Sequence, residues 1–261
     1  MGKISDALEK HGAEREQNRV EIKTDSAITP KASPQPKRTS KRSSKGAPKS
    51  YAIKSDLAGY EDILTRLHTQ HPGESIKTIM FTGAAHGGGA TTTAVNFAKT
   101  LVRDHQVKVL LIDANMRTPN LRELFDIKSD EGITDIVLNN NAKPYKVINL
   151  DPSYLFVLAT GGNYVGPVGL FESERFDAFL ENVREEFDYV ILDSAPLPSF
   201  AEARVLCEKV DGVVLVVESG KLRRQVALRA KKELEDAGAQ ILGVVLNKRK
   251  YHIPEWLYKR L

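Results

Sequence analysis

The chain has 261 residues, a near-average apolar content, a single cysteine and a formal net charge of +4. No apolar run reaches the roughly 18 residues of a membrane span, the opening residues lack the apolar core of a signal peptide, and one cysteine excludes an internal disulfide, so a reducing cytoplasm is the expected compartment. The charge is uneven: residues 1–50 carry a net +6, and the remainder is close to neutral at −2.

In chain order, residues 1–25 form a leader. Over residues 3–19, Ile4, Leu8 and His11 fall on one side of a helix whose apolar stripe is too thin to fold alone. Residues 26–50 read as a disordered basic linker. Pro30, Pro34, Pro36 and Pro48 break regular structure, and Lys31 to Lys49 contains seven positive charges and no acid. That composition buries too little apolar surface to offset chain entropy. It suits either a solvated spacer or an anionic surface.

From residue 51 the pattern becomes globular. A helix over about 51–69 leads to a strand at 76–82, a helix at 91–103 and a buried strand at 107–112. Helical pieces follow near 119–126 and 132–140, then short strands near 145–150 and 154–159. A helix at about 172–186 precedes a strand at 189–193, a helix at 200–209, a strand at 212–217, a helix at 223–237 and a strand at 241–246. Continuous Val/Ile/Leu strands alternating with helices predict an α/β fold, a doubly wound and mostly parallel sheet with helices on both faces. Residues 51–250 make one domain, and residues 251–261 form a basic-aromatic tail. Trp256 in that tail suits either packing on its own domain or docking at an interface.

The loop Gly83-Ala84-Ala85-His86-Gly87-Gly88-Gly89-Ala90-Thr91-Thr92-Thr93 lies between the first strand and its helix, the context of a phosphate-binding loop. Such loops aim backbone N–H groups and a helix N-terminus at phosphate. Gly87, Gly88 and Gly89 supply the needed backbone freedom. Thr91 stands where a hydroxyl would ligate magnesium, and Thr92 where one would reach the α-phosphate. Residue 90, lysine in the usual pattern, is alanine. Two further strands end in Asp113 and Asp193. Carboxylates at neighbouring parallel strand ends converge above the sheet, where they can hold a hard cation, although either could instead cap the loop that follows it. Asn247 ends the last strand with an amide suited to a purine edge. His86 reads as a plain loop residue, and Cys207 as a packing residue.

Together, Val109 to Leu121, Phe187 to Pro196, Asp211 to Val217 and Leu242 to Asn247 resemble the bacterial tyrosine kinase (BY-kinase) family of capsule and exopolysaccharide systems, which belongs to the MinD/ParA-like branch of P-loop proteins. The opening Gly2 to Lys10 looks like the leader of members found beside exosortase-type polysaccharide loci. The resemblance implies ATP and Mg²⁺ as ligands. It puts Asp113 in the metal-associated, base-like role, Asp193 beside the metal with Thr91, and Asn247 at the adenine. It also implies autophosphorylation on tail tyrosines, here Tyr251 and Tyr258, and a membrane polysaccharide co-polymerase or chain-length regulator as partner. Cytoplasmic residence at the inner face of the membrane would follow, as would homo-oligomers or hetero-oligomers with an active paralogue.

Five departures mark a degenerate member. Ala90 replaces the loop lysine, and no lysine lies from Thr82 to Ala98. Asn115 replaces a second acid. Ala58 to Leu64 lacks the charges of the family's association motif, and the tail has only two tyrosines. The expectation is therefore a regulator with weak or no phosphotransfer. The first alternative is an active autokinase with a substitute cation, either Arg117 or the loop charges Lys221, Arg223 and Arg224. The second is a MinD/ParA-type partitioning ATPase, which the absent lysines disfavour, and with it a nucleic-acid partner.

Overall fold

The structure, a computed structural model, describes residues 75–139, 146–149, 154–162 and 166–248, with isolated positions 60, 61, 63, 65, 69 and 73. The leader, the basic linker, the tail with Tyr251, Trp256 and Tyr258, and most of Ala58 to Leu64 lie outside the described residues.

Seven strands form one sheet: β1 (Thr78–Gly83), β2 (Val109–Asp113), β3 (Lys146–Asn149), β4 (Tyr154–Leu158), β5 (Tyr189–Asp193), β6 (Gly212–Glu218) and β7 (Ile241–Asn247). Their order is β3-β4-β2-β5-β1-β6-β7. All pairings are parallel except the β3–β4 hairpin at one edge. The helices are α1 (Ala90–His105), α2 (Leu121–Leu124), α3 (Ile133–Asn139), α4 (Pro167–Phe171), α5 (Glu174–Glu186), α6 (Ala201–Lys209) and α7 (Arg224–Asp236).

Both faces of the sheet are covered, and the period-2 alternation of the strands divides the core in two. Met80, Leu110, Ile112, Val190, Leu192, Val213 and Leu215 pack with Phe171, Phe176, Leu180, Leu206 and Leu234 from α4 to α7. Ile79, Phe81, Val109, Leu111, Ile191, Val214 and Val216 pack with Phe97, Ala98, Leu101 and Val102 of α1. This is the expected doubly wound arrangement.

Several boundaries differ for local reasons. The segment read as a helix over 119–126 is a single turn, Leu121–Leu124. The Asp113 carboxylate takes the amides of Asn120 and Leu121 at its start, and Asp126 adopts a left-handed φ of 52° just beyond its end. The helix expected at 172–186 is present as α5, Glu174–Glu186, and the short α4 before it, Pro167–Phe171, was not expected. Ser173 caps α5, its hydroxyl accepting from the Phe176 amide at 3.2 Å. Residues 60, 61, 63, 65 and 69 are helical, in keeping with the expected helix over 51–69.

Candidate functional site

The site lies at the C-terminal ends of β1, β2 and β5, at the side of the sheet that α1 covers. Parity explains this. Asp113 continues the alternation of Val109 and Leu111, and Asp193 that of Ile191, so both carboxylates face α1. Asp113 and Asp193 are register partners on adjacent strands. Both are fully buried.

β1 runs directly into the glycine loop, whose turn is closed by Gly88 N–H donating to Ala85 O at 3.4 Å and by Ala84 N–H donating to Val216 O at 3.0 Å. Gly89 then caps α1 with φ 91°, ψ 27°, a left-handed conformation that glycine adopts without steric cost. A β-carbon there would also collide with the Asn247 amide nitrogen. Ala90 is the first residue of α1. Thr91 is half-buried, Thr92 is exposed, and the Thr93 hydroxyl back-bonds to Gly89 O at 2.9 Å. A sixteen-residue helix therefore directs its N-terminal dipole and orphan amides at this loop.

The two acids have different surroundings. Asp113 caps its own loop as well as facing the site. Its Oδ1 accepts from the Asn115 amide at 3.2 Å, and its Oδ2 from the amides of Asn120 and Leu121, both at 2.9 Å. Burial still outweighs these bonds and pushes its carboxyl up to about 6. Neither carboxylate oxygen of Asp193 receives a hydrogen bond of normal geometry. Burial first, and then the neighbouring Asp113 charge, hold it well above the ordinary carboxylate range. Thr91 pulls weakly the other way, without a hydrogen bond of normal geometry. A buried acid left unsatisfied is costly to the fold, and a hard cation would relieve it. The residues therefore fit magnesium, with Asp193 as the open acid, Thr91 beside it and Asp113 already three-fold hydrogen-bonded.

The other expected residues fall as follows. Asn115, which stands where a second acid was expected, is structural: its Nδ2 donates to Thr118 Oγ1 at 3.1 Å and its Oδ1 accepts from Thr118 N–H at 3.2 Å. Asn247 does reach the site, but its amide donates to Gly88 O at 3.0 Å and its Oδ1 accepts from Lys248 N–H at 2.8 Å. Here it fastens β7 to the loop. Arg117 is held in a two-pronged pair with the fully buried Glu202, at 2.6 and 3.3 Å, with Phe200 beneath its guanidinium. His86 packs edge-on against that same Phe200. Lys221 pairs with Glu218 at 3.5 Å. Cys207 is buried as expected, its thiol bonded to Ala203 O and pushed up to about 12 by burial.

Sequence reasoning assigned no role to Lys248, whose Nζ donates to Gly87 O at 2.6 Å. The only signal available was its place, one residue after the strand-end Asn247.

The family described as ParA, NUBPL iron-transfer P-loop NTPase, matches residues 75–258. Tyrosine-protein kinase YwqD of Bacillus subtilis (strain 168) is 31% identical over 191 residues, covering 73% of this chain and 80% of its own length. Tyrosine-protein kinase CpsD of Streptococcus pneumoniae is 33% identical over 182 residues, covering 69% and 79%. Among solved structures, the chimerical protein CapA2B2 superposes with a TM-score of 0.71 at 26% identity, over 77% of this chain and 88% of that one. The VpsO kinase domain gives 0.65 at 26% identity, over 74% and 96%. With the strand-end acids and glycine loop placed as described, the chain belongs to the bacterial tyrosine kinase family of MinD/ParA-like P-loop proteins.

Proposed function

We propose that this protein is a nucleotide-binding regulator of capsule or exopolysaccharide production and export, with weak or no phosphotransfer of its own. The observation that carries the reading is Ala90 at the head of α1, above a buried acid that has no partner. The parts that grip phosphate and metal in the ground state are retained: the loop, the helix N-terminus, Thr91 and Asp193. The preorganised charge that would meet the transferring phosphoryl group at position 90 is not. Phosphoryl transfer depends on positioning and charge neutralisation, and losing one such contact costs about 3–4 kcal/mol, or 10²–10³ in rate.

ATP with Mg²⁺ would be the ligand. Gly87, Gly88, Gly89, Thr91 and Thr92 would meet the phosphates, Asp193 would meet the metal, and Asp113 would shape the loop beside it. Bound Mg²⁺ would neutralise phosphate charge; the chain's own groups orient and exclude water. The iron-transfer part of the family description finds no support in this sequence, because iron–sulfur cargo is held by thiolates and the sole cysteine is buried. No helix among the described residues is long and apolar enough to cross a membrane. In this reading a polysaccharide co-polymerase would hold the protein at the membrane's inner face.

The test is incubation of the full chain with Mg-ATP and mass-spectrometric counting of phosphotyrosine, with Tyr251 and Tyr258 as the candidate acceptors. Little modification is expected, rising in Ala90→Lys. Robust phosphotyrosine on the wild type that disappears in Asp113→Asn would overturn the reading.

A further inference from the structure

We propose that Lys248, delivered by the far edge of the sheet, is the cation that meets the nucleotide phosphates in place of a lysine at position 90. The proposal rests on the nucleotide-binding reading above.

Four observations carry it. First, the Lys248 ammonium is already at the loop, donating to Gly87 O at 2.6 Å. Second, its backbone is built to turn there. Lys248 has φ 57°, a left-handed conformation that is sterically unfavourable for a non-glycine residue. The preceding Asn247 holds that turn from both ends, with its amide on Gly88 O and its Oδ1 on Lys248 N–H. A strained residue over-determined by its neighbours beside a ligand loop is where function concentrates. Third, the side chain has a soft tether. Glu218, the register partner of Asn247, faces Lys248 Nζ at 3.5 Å and shares itself with Lys221. The lysine side chain is about half exposed (48%), so its four-carbon stem can exchange a carbonyl for a phosphate oxygen. Fourth, the rival cations are not bonded to the loop. Arg117 is bound to buried Glu202. Lys221, three-quarters exposed (76%), lines the hollow beside the loop with Ala85, His86 and Gly88 but pairs with Glu218, and Arg223 and Arg224 are exposed.

An independent feature points to a charged ligand at the same place. Asp193 is completely buried at the strand end behind Thr91, with both oxygens unpartnered. A metal-bound polyphosphate would satisfy Asp193 through the metal and Lys248 through its anionic oxygens. The cation would then arrive from β7 rather than from the head of α1, leaving ground-state grip intact while its position differs from the one the loop pattern supplies.

The test is calorimetric titration of Mg-ATP into the full chain and into Lys248→Met, Lys248→Arg, Ala90→Lys and the Ala90→Lys/Lys248→Met double variant, with thermal melts confirming that each is folded. A charge-assisted contact of about 1.5–3 kcal/mol predicts that Lys248→Met weakens binding by about ten-fold or more, while Lys248→Arg stays within about three-fold. In the Ala90→Lys background the same Lys248→Met change is expected to weaken binding by less than about three-fold, because the two lysines serve one phosphate. Equal affinity of wild type and Lys248→Met would overturn the proposal and leave the nucleotide reading standing. An undiminished loss in the Ala90→Lys background would assign Lys248 a merely structural role and overturn it too. Absence of any Mg-ATP binding by the wild type would remove both.

Discussion

The two ends of the same β-sheet treat their acids in opposite ways. At the N-terminal end, Asp211 is saturated. Its Oδ2 accepts from the amides of Lys77 and Thr78 at 2.9 and 2.7 Å, and its Oδ1 from Arg184 at 2.7 Å. Arg184 also donates to Thr78 Oγ1 and Lys209 O, and Asp188 accepts from the Lys108 amide at 2.7 Å. These bonds fix where β1, β2 and β6 begin. At the C-terminal end, Asp193 has no hydrogen-bond partner, and Asp113 is only partly compensated. One end is arranged for stability. The other carries an unpartnered buried acid, which the proposed ligand would meet.

The largest expected effect is at the saturated end. Asp211→Ala would strand Arg184 and two strand-start amides, and denaturant unfolding should show a loss of about 3 kcal/mol. A loss below about 1 kcal/mol would erase the contrast between the two ends.

The pH dependence should come from the other end. The folded carboxyls of Asp113 and Asp193 both sit above the ordinary value near 3.8, Asp113 at about 6. A carboxyl that is harder to ionise when folded binds more protons in the native state. Its contribution is therefore present below the unfolded value and is lost as pH rises through the folded one. Unfolding free energy of the ligand-free protein should fall between about pH 4 and 6, by on the order of 3 kcal/mol from Asp113 alone. Asp193 extends the decline to higher pH. A flat or rising profile across that window would contradict the burial assigned to these acids.

Gly89→Ala comes next. It forces a left-handed alanine and displaces the Asn247 amide, which should destabilise by about 2 kcal/mol in thermal unfolding. The smallest effect belongs to Arg117. Arg117→Ala should leave Mg-ATP affinity within about three-fold. It should lower stability by about 1 kcal/mol, since Glu202 loses its partner while the arginine itself is partly exposed. A large affinity loss there would return Arg117 to the role of substitute cation.

Much of this was legible in the sequence, for particular reasons. Unbroken Val/Ile/Leu strands between amphipathic helices could only be a covered parallel sheet, and Asp113 and Asp193 stood out as acids ending such strands. Sequence could not decide whether each acid would cap a loop or stay open. That depends on whether nearby amides turn toward it, and Asn120 and Leu121 do so only for Asp113. Nor could it place Arg117, whose partner Glu202 is 85 residues away, or Lys248, which reaches a glycine 161 residues earlier. Long-range pairings of single polar side chains leave no periodic trace. The over-long helix read at 119–126 came from local groups, the Asp113 carboxylate at the start of α2 and the left-handed Asp126 after it, that confine the helix to one turn.

The central claim is that the open acid at the head of the sheet is held for a metal-bound nucleotide, and melting wild type and Asp193→Asn at pH 8 with and without Mg-ATP tests it most directly. Without ligand, Asp193→Asn should melt higher than wild type, because the cost of burying an unpaired acid, whether ionised or forced to hold its proton, has been removed. With saturating Mg-ATP, wild type should gain stability and Asp193→Asn should gain little. An Asp193→Asn variant that melts lower without ligand, or that gains as much from Mg-ATP as wild type, would contradict the account.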